Sequence, residues 1–320
     1  MILVILSWAL AVGATAPILA ETKPTVFVSI LPQKFFVQQI SGELVDVEVM
    51  VPPGASPHTY EPKPSQMRKM AKASVFFTIG IALEEAWLER ITKINPDMSV
   101  VHTEAGIVRI AMSGDHHHED DGDHKKGHRE DDHGERLEDH ERDGSAEPEG
   151  HGQDDHGEDG LDPHIWLSPV LVKRQAEVIG SSLENLDPKH AATYRANNES
   201  FMERIDELDA QLRNILDSKK RMKFMVFHPS WGYFAQSYGL EQVPVEIEGK
   251  SPKPAHLEEL IELARQEQIS VIFAQPQFSQ KSAEVIAREI GAQVVMIDPL
   301  GKDWFANMRE VADKMAAAVR

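Results

Sequence analysis

Short runs of apolar, mostly β-branched or aromatic residues alternate along the chain with longer stretches in which apolar residues recur every three or four positions. The short runs are typical of buried strands and the longer stretches of helices. The predicted strands are Thr25–Ile30, Val45–Val51, Ser74–Ile79, Ser99–His102, Lys223–Phe227, Val243–Ile247, Val271–Ala274 and Gln293–Ile297. The predicted helices are Gln33–Ile40, Ser65–Lys72, Leu83–Ile94, Pro169–Leu186, Pro254–Leu263, Ser282–Ile290 and one that contains Met308–Val319. This alternation predicts βα units and parallel sheets.

One predicted helix is much longer than the others and begins at Pro188. Its apolar residues form a single stripe at helical spacing: Tyr194, Phe201, Ile205, Leu208, Leu212 and Ile215. A helix of about 30 residues would be some 45 Å long. We therefore predict an α/β protein of two lobes, each a mainly parallel four-stranded sheet flanked by helices, joined by one long rigid helix. The predicted boundaries are 24–187 for the first lobe, 188–218 for the connecting helix and 219–320 for the second lobe.

The segment between 115 and 159 breaks this pattern. It holds 19 Asp and Glu, five Lys and Arg and nine histidines, but only one leucine (Leu137), one alanine (Ala146) and no aromatic or β-branched residue. The whole chain carries a formal charge of −19, so most of its acidity lies here. Too little apolar surface is available to offset the entropy of ordering, and we predict a disordered loop at 115–160 within the first lobe.

Histidines at this density among carboxylates favour weak, multi-site binding of borderline cations such as Zn²⁺. A solvated acidic linker is the alternative interpretation. The auxiliary metal-binding candidates are His116, His117, His118, His124, His128, His133, His140, His151 and His156.

Composition also excludes several classes of function. The acidic balance argues against nucleic acid or an anionic membrane surface as a partner. Because the chain has no cysteine, it can form neither disulfides nor a thiolate metal site, and no lipid can be attached to a processed cysteine. Residues 1–20 are mostly apolar and resemble a signal peptide that ends near Ala20. We therefore expect a free periplasmic protein, and we expect it to be a monomer.

Four metal-ligating residues are predicted to lie at the edges of the two sheets. His58 comes just after a strand, His164 just before a helix, and His228 and Asp298 at the carboxyl ends of strands. Ligands of open α/β sheets bind at that edge, and a cleft between the lobes could gather all four residues. Three imidazoles and one carboxylate suit zinc. The spacing alone is a weak signal, since the four residues span 240 positions and each histidine could instead be structural.

The segments around these residues resemble a known family. Pro57–Pro62, Asp162–Pro169, Phe227–Phe234 and Asp298–Gly301, in this order, are similar to the zinc-binding members of the cluster A-I solute-binding proteins, the ZnuA-like family, which serve metal ABC importers. The resemblance covers residues 25 to 320. It implies two α/β lobes joined by a long helix, one Zn²⁺ in the cleft as transported ligand, and an ABC-importer membrane permease as partner. It also implies His58, His164 and His228 as ligands, with a fourth position filled by Asp298, another acid or water.

Position 228 indicates which metal is carried. Manganese-binding members of the wider family resemble this chain but place a glutamate there, and nitrogen ligands favour zinc over manganese. In one respect the chain departs from the pattern. Some zinc-binding members carry a glutamate immediately before the first histidine, where this chain has Pro57. Asp298 is therefore the predicted fourth ligand. Glu246 and Glu248, two acids near the strand ends of the second lobe, are candidates for supporting a ligand.

Two other functions compete with transport. Three histidines with an open coordination position could activate water in a zinc hydrolase. Against this, the sequence has no His-Glu-x-x-His helix, and we predict that the protein is not an enzyme. A metal buffer that uses only the 115–159 segment is the second competitor.

Overall fold

The computed structural model describes residues 22–112, 160–246 and 252–318. The predicted signal peptide, residues 115–159 of the predicted loop with all nine histidines, and Glu248 lie outside the described residues. Among the helices in the described part of the chain, none combines the length and the apolar character needed to span a bilayer.

The first lobe is built on a four-stranded sheet in which every pair of neighbours is parallel. In chain order the elements are β1 Thr25–Val28, α1 Leu31–Ser41, β2 Asp46–Val49, α2 Pro64–Met70, β3 Val75–Thr78, α3 Ala82–Ile94 and β4 Ser99–His102. The spatial order is β2-β1-β3-β4. Val26 pairs with Val47 on one side and Val75 on the other, which makes β1 a central strand. The segments after β1 and β3 therefore meet at the point where the strand order reverses, the usual ligand position in such sheets.

The second lobe repeats the arrangement. Its elements are β5 Lys223–Val226, α6 Gly232–Tyr238, β6 Glu241–Pro244, α7 Pro254–Gln266, β7 Val271–Ala274, α8 Gln280–Ile290, β8 Gln293–Met296 and α9 Trp304–Ala318. The strands are again parallel, in the order β6-β5-β7-β8. The predicted pair of parallel four-stranded sheets is confirmed.

A long helical segment lies between the two sheets in the chain. After α4 (Pro169–Leu186), a 3-10 turn at Pro188–His190 leads into α5 (Ala191–Leu216), and a second 3-10 turn follows at Asp217–Lys219. Helix α5 has 26 residues and is therefore about 39 Å long. Its buried face carries five of the six residues of the predicted stripe, with Leu216 in place of the partly buried Ile215.

The main hydrophobic core runs through both lobes. It combines first-lobe residues such as Phe27 and Phe76 with the buried face of α5 and with second-lobe residues such as Phe224 and Trp304. A smaller core beneath α7 and α8 belongs to the second lobe alone. Because one packed core crosses from lobe to lobe, relative motion of the lobes would have to break close-packed contacts.

Two elements differ from the sequence-based expectation. The segment after His228 was not expected to be helical, yet α6 begins at Gly232 and is seven residues long. Strand β6 was expected at Val243–Ile247 and lies at Glu241–Pro244. Pro244 ends this edge strand and pairs with Val226, at a place where the missing N–H costs no central ladder bond.

Candidate metal centre

Three histidines from separate parts of the chain meet in the cleft between the lobes. His58 follows β2, His164 precedes the short 3-10 turn Ile165–Leu167, and His228 follows β5. One ring nitrogen from each lies within 4.8 Å of those of the other two. Among the described residues this is the one group of three or more metal-ligating side chains that converges so closely. The structure therefore brings together the three histidines that the sequence predicted, and their role as metal ligands stays a prediction.

His228 is the most tightly held of the three. Its Nδ1 is hydrogen-bonded to a carboxylate oxygen of Glu246, and its backbone N–H and carbonyl are both bonded by the amide of Gln275, at 3.2 and 2.7 Å. The Phe278 ring stacks on the imidazole with 4.5 Å between centroids. Nε2 of His228 is buried without a hydrogen-bond partner, which leaves a lone pair directed away from Glu246.

His164 is supported in the same manner from the first lobe. Oδ1 of Asp162 accepts hydrogen bonds from the His164 backbone N–H at 2.8 Å and contacts ring Nδ1 at 2.7 Å. Trp166, in the turn that follows, donates its indole N–H to the carbonyl of Pro299 at 2.7 Å. The His164 side is thereby tied to the second lobe.

His58 lies in the irregular segment between β2 and α2 and is exposed at the mouth of the cleft. Its ring centroid is 4.8 Å from that of His228 and 6.4 Å from that of His164. The segment is anchored beyond the histidine by Tyr60, whose hydroxyl donates to Gln66 at 2.5 Å. His58 is therefore the member of the group with most freedom to approach or leave a bound ion.

The surroundings of His58 and His228 favour their neutral form. Although His58 is exposed at the mouth of the cleft, protein atoms crowd around its ring and lower its pKa by desolvation, and positive charge on His228 and His164 lowers it further. Burial also lowers the pKa of His228, against the hydrogen bond with Glu246, which raises it. Neutral imidazole is the form that coordinates a metal.

The space around the three rings extends well beyond the histidines. The cleft encloses about 870 Å³ of empty space, part of it open to solvent. Its walls include Gly80, Arg109, Trp166, Ser230 and Phe278. Both lobes contribute to the walls.

Asp298 lies close to this cleft but outside the group of three imidazoles. Its Oδ1 accepts hydrogen bonds from Nε2 of Gln277 at 2.8 Å and from the backbone N–H of Leu300 at 2.9 Å. Gln277 and Leu300 themselves line the cleft. A ligand role for Asp298 stays a prediction.

Glu84 fixes the segment between β3 and α3, which lines the cleft. Its carboxylate accepts hydrogen bonds from the backbone N–H groups of Ile79 at 2.9 Å, Gly80 at 2.6 Å and Ile81 at 3.2 Å. The hydroxyl of Ser29 donates to it as well. Glu84 is buried, and burial raises its pKa to about 7, with a smaller contribution from nearby Glu104.

Replacing Glu84 by glutamine is expected to change how stability depends on pH. Because the folded-state pKa lies above the unfolded value of 4.5, the unfolded chain loses this proton first as the pH rises. The wild-type protein should therefore lose up to about 3 kcal/mol relative to Glu84→Gln between pH 4.5 and 7, and nothing further above that range. Urea unfolding across this range measures the difference. Glu85→Gln, at the exposed neighbour, is the control, and parallel profiles for wild type and Glu84→Gln would contradict the expectation.

Several residues that support His164 and His228 were not predicted from the sequence. Glu246 was considered as a weak candidate, whereas Asp162, Gln275 and Phe278 were not singled out at all. Asp162 could have been found, since it lies two positions before His164, within reach of a local side chain-to-backbone hydrogen bond. The contacts of Gln275 and Phe278 depend on how β5 and β7 pair, which no local pattern reveals.

Comparison with known proteins gives a consistent family assignment. A family model described as the periplasmic component A of zinc-uptake complexes matches residues 26–318. The zinc-binding protein AdcA of Streptococcus pyogenes is 27% identical over 307 residues, which cover 92% of this chain and 55% of AdcA. The high-affinity zinc uptake system protein ZnuA of Bacillus subtilis is 27% identical over 277 residues, covering 86% of this chain and 78% of that protein. This chain thus spans about half the length of the AdcA proteins it matches.

Solved structures that are similar to this chain point to the same family. A crystal structure of ZnuA is 37% identical, with a TM-score of 0.76, and the match covers 93% of this chain and 99% of that one. A zinc-bound deletion mutant of ZnuA gives the same TM-score of 0.76 at 37% identity, covering 93% of this chain and 98% of that one. The laminin-binding protein of Streptococcus agalactiae, 21% identical with a TM-score of 0.73, shares the fold; the match covers 93% of this chain and 100% of that one.

Proposed function

Because the chain belongs to the family of periplasmic component A proteins of zinc-uptake complexes, we propose that it captures Zn²⁺ between His58, His164 and His228 and delivers it to an ABC-importer membrane permease. Zinc is the cargo of this protein, and the function is capture and release without catalysis.

The convergence of three ring nitrogens within 4.8 Å carries the proposal. Two of the imidazoles each have a carboxylate at Nδ1, Asp162 for His164 and Glu246 for His228. An imidazole that donates its Nδ1 proton keeps the lone pair on Nε2, so both rings can present a ligand atom to the cleft. Carboxylate–histidine–zinc arrangements work in this way.

Charge supports a divalent cation. Asp162 and Glu246 are 1% and 3% exposed, and their carboxylates lie directly behind the imidazoles of His164 and His228. A buried charge without a partner is costly, and a 2+ ion in front of the rings would compensate both carboxylates. Three nitrogen ligands favour zinc over manganese, which prefers oxygen.

We assign the fourth coordination position to Asp298, whose Oδ1 is already held by Gln277 and Leu300. Its carboxylate would approach the ion as His58, on the exposed segment after β2, closes from the other side. The core shared by both lobes limits larger motions, so binding and release would involve mainly local movement around His58.

The test is a calorimetric zinc titration at neutral pH of two proteins, the full chain and a chain that lacks residues 115–159. The excision is feasible because residues 110–112 and 160–162 already pair with each other. We expect one tight site in both proteins and additional weaker sites in the full chain only. A chain without 115–159 that binds no zinc tightly would place the function in that segment and favour a metal buffer.

The nine histidines of 115–159 lie outside the described residues, and we propose for them an auxiliary, low-affinity role in zinc acquisition or sensing. If the segment is disordered, as its sequence predicts, each binding event there would have to order it, which lowers affinity. If the excised protein shows the same stoichiometry and the same transfer of zinc under scarcity as the full chain, the segment is a spacer.

Asp162→Asn and Glu246→Gln are each expected to weaken zinc binding roughly 10- to 100-fold, the usual cost of losing a carboxylate that supports a histidine ligand. The amides keep the shape of the side chain but remove the charge that compensates the ion. Competition with a fluorescent zinc chelator measures the change. Asp187→Asn is the matched control, because Asp187 makes the same contact with His190, at 2.6 Å, on the 3-10 turn before α5. Equal affinities for all four proteins would contradict the role of the carboxylates.

A further inference from the structure

A short two-stranded stem lies beside the metal centre. We use "stem" for residues 110–112 and 160–162, which pair antiparallel through Ala111 and Leu161. The backbone N–H of Met112 donates to the carbonyl of Gly160 at 2.7 Å, and that of Asp162 donates to the carbonyl of Ile110 at 2.8 Å. The stem brings together two segments of chain whose paired residues, Ala111 and Leu161, are 50 positions apart in sequence.

The hydroxyl of Tyr233 joins the two arms of the stem. It accepts a hydrogen bond from the backbone N–H of Ile110 at 3.2 Å and donates one to the carbonyl of Asp162 at 2.9 Å. Tyr233 is the second residue of α6, the helix that follows His228. One phenol thus connects the first arm, the second arm and the segment that carries a proposed ligand.

Gly232, the first residue of α6, packs closely against the side chain of Asp162. A Cβ added at Gly232 would lie 2.6 Å from Oδ2 of Asp162 and 3.3 Å from Cδ1 of Ile110. Oδ2 of Asp162 is buried without a hydrogen-bond partner, so packing against α6, rather than a second hydrogen bond, fixes the position of this oxygen. The first turn of α6 therefore holds Asp162 by both its backbone and its side chain.

Asp162 in turn sets the position of His164. Its Oδ1 bonds the ring Nδ1 at 2.7 Å and the backbone N–H at 2.8 Å. We infer that Tyr233 and Gly232 are positioning residues for zinc capture, which act on His164 through the stem and Asp162. The inference rests on the proposed zinc site and extends it to residues that do not touch the ion.

Tyr233→Phe in the full chain is expected to raise the rate of zinc dissociation roughly 10-fold, the lower end of the range for groups that orient a histidine ligand. The change leaves the N–H of Ile110 and the carbonyl of Asp162 without the phenol and frees the second arm to move. Stopped-flow mixing of the zinc-loaded protein with excess chelator measures the rate.

Tyr238→Phe is the matched control. Tyr238 is on the same helix, is similarly buried, and donates its hydroxyl to Asp209 at 2.9 Å, away from the cleft. Both variants remove one buried hydroxyl, so a general loss of stability would affect both. We expect the dissociation rate of Tyr238→Phe to stay within about 2-fold of wild type, and the ¹⁵N shifts of the His164 ring in zinc-free protein to change only in Tyr233→Phe.

Gly232→Ala separates positioning from folding. Alanine has a higher helix propensity than glycine, which should favour the first turn of α6. The added methyl group would nevertheless push Asp162 away from its place, and we expect zinc affinity to fall roughly 10-fold or more while the protein remains folded.

The outcomes are distinct from those that test the zinc site itself. If wild-type protein has no tight cleft site, the proposed function fails before the variants are compared. If wild type binds zinc tightly but Tyr233→Phe releases it at the rate of Tyr238→Phe, with unchanged His164 shifts, the positioning role is overturned. Full affinity in Gly232→Ala would overturn it as well.

Discussion

Replacing His228 by alanine is expected to remove the tight zinc site of the cleft, with a loss of affinity greater than about 100-fold, the upper range for residues that only support a ligand. His228 is held in place by Glu246, Gln275 and Phe278, so its ring is positioned for the ion before the ion arrives. The substitution also leaves the carboxylate of Glu246 buried without its partner, which lowers the free energy of unfolding. Competition with a zinc chelator measures the affinity of the protein that lacks 115–159.

His190→Ala is the control for this prediction. Like His228, His190 has a carboxylate at Nδ1, but it lies on the 3-10 turn before α5 and outside the group of three imidazoles. We expect the His190→Ala protein to bind zinc with the affinity of the wild type. A His228→Ala protein with unchanged affinity would mean that the cleft histidines do not form the zinc site.

Trp304→Ala is expected to cost roughly 3–5 kcal/mol of unfolding free energy, the usual range for deleting a buried tryptophan. Trp304 is fully buried in the core that joins the lobes, with ring centroids 5.3 Å from Phe36 and 5.4 Å from Phe305. Its indole N–H donates to the carbonyl of Trp166 at 2.8 Å, two residues from His164. The substitution therefore opens a cavity and also leaves a buried carbonyl without its donor.

Urea unfolding of zinc-free protein measures this loss. Trp87→Ala is the matched control, because Trp87 is only partly buried on α3, beside Arg90, and should cost much less. If the two substitutions destabilise the protein equally, the core does not join the lobes in the way that the packing of Trp304 indicates.

Much of the fold could be predicted because parallel strands buried on both faces give continuous apolar runs. Residues 75–78 of β3 are all buried, and their sequence Val-Phe-Phe-Thr is a strand signal that needs no tertiary information. Helix α6 gave no such signal, since its seven residues are too few to establish a helical period. The position of β6 depended on its pairing with β5, and the apolar residues around Pro244 drew the predicted strand too far along the chain.

The three histidines of the site could be predicted from the segments around them, and two of the three, His58 and His228, follow strands. What supports them could be predicted only in part. The contact between Asp162 and His164 is local, whereas Glu246 reaches His228 across 18 residues and Tyr233 reaches Asp162 across 71. Such contacts depend on the packing of complete elements, which a single sequence does not encode in any short pattern.

The measurement that tests the central claim most directly is the anomalous difference map of a crystal of the zinc-loaded protein, recorded at the zinc absorption edge. We predict one strong peak in the cleft, about 2.0–2.1 Å from a ring nitrogen of each of His58, His164 and His228, with an oxygen of Asp298 completing a tetrahedron. A water at the fourth position would remove Asp298 from the ligand set and leave the three histidines in place. A zinc-loaded crystal with no peak among the three rings would contradict the account.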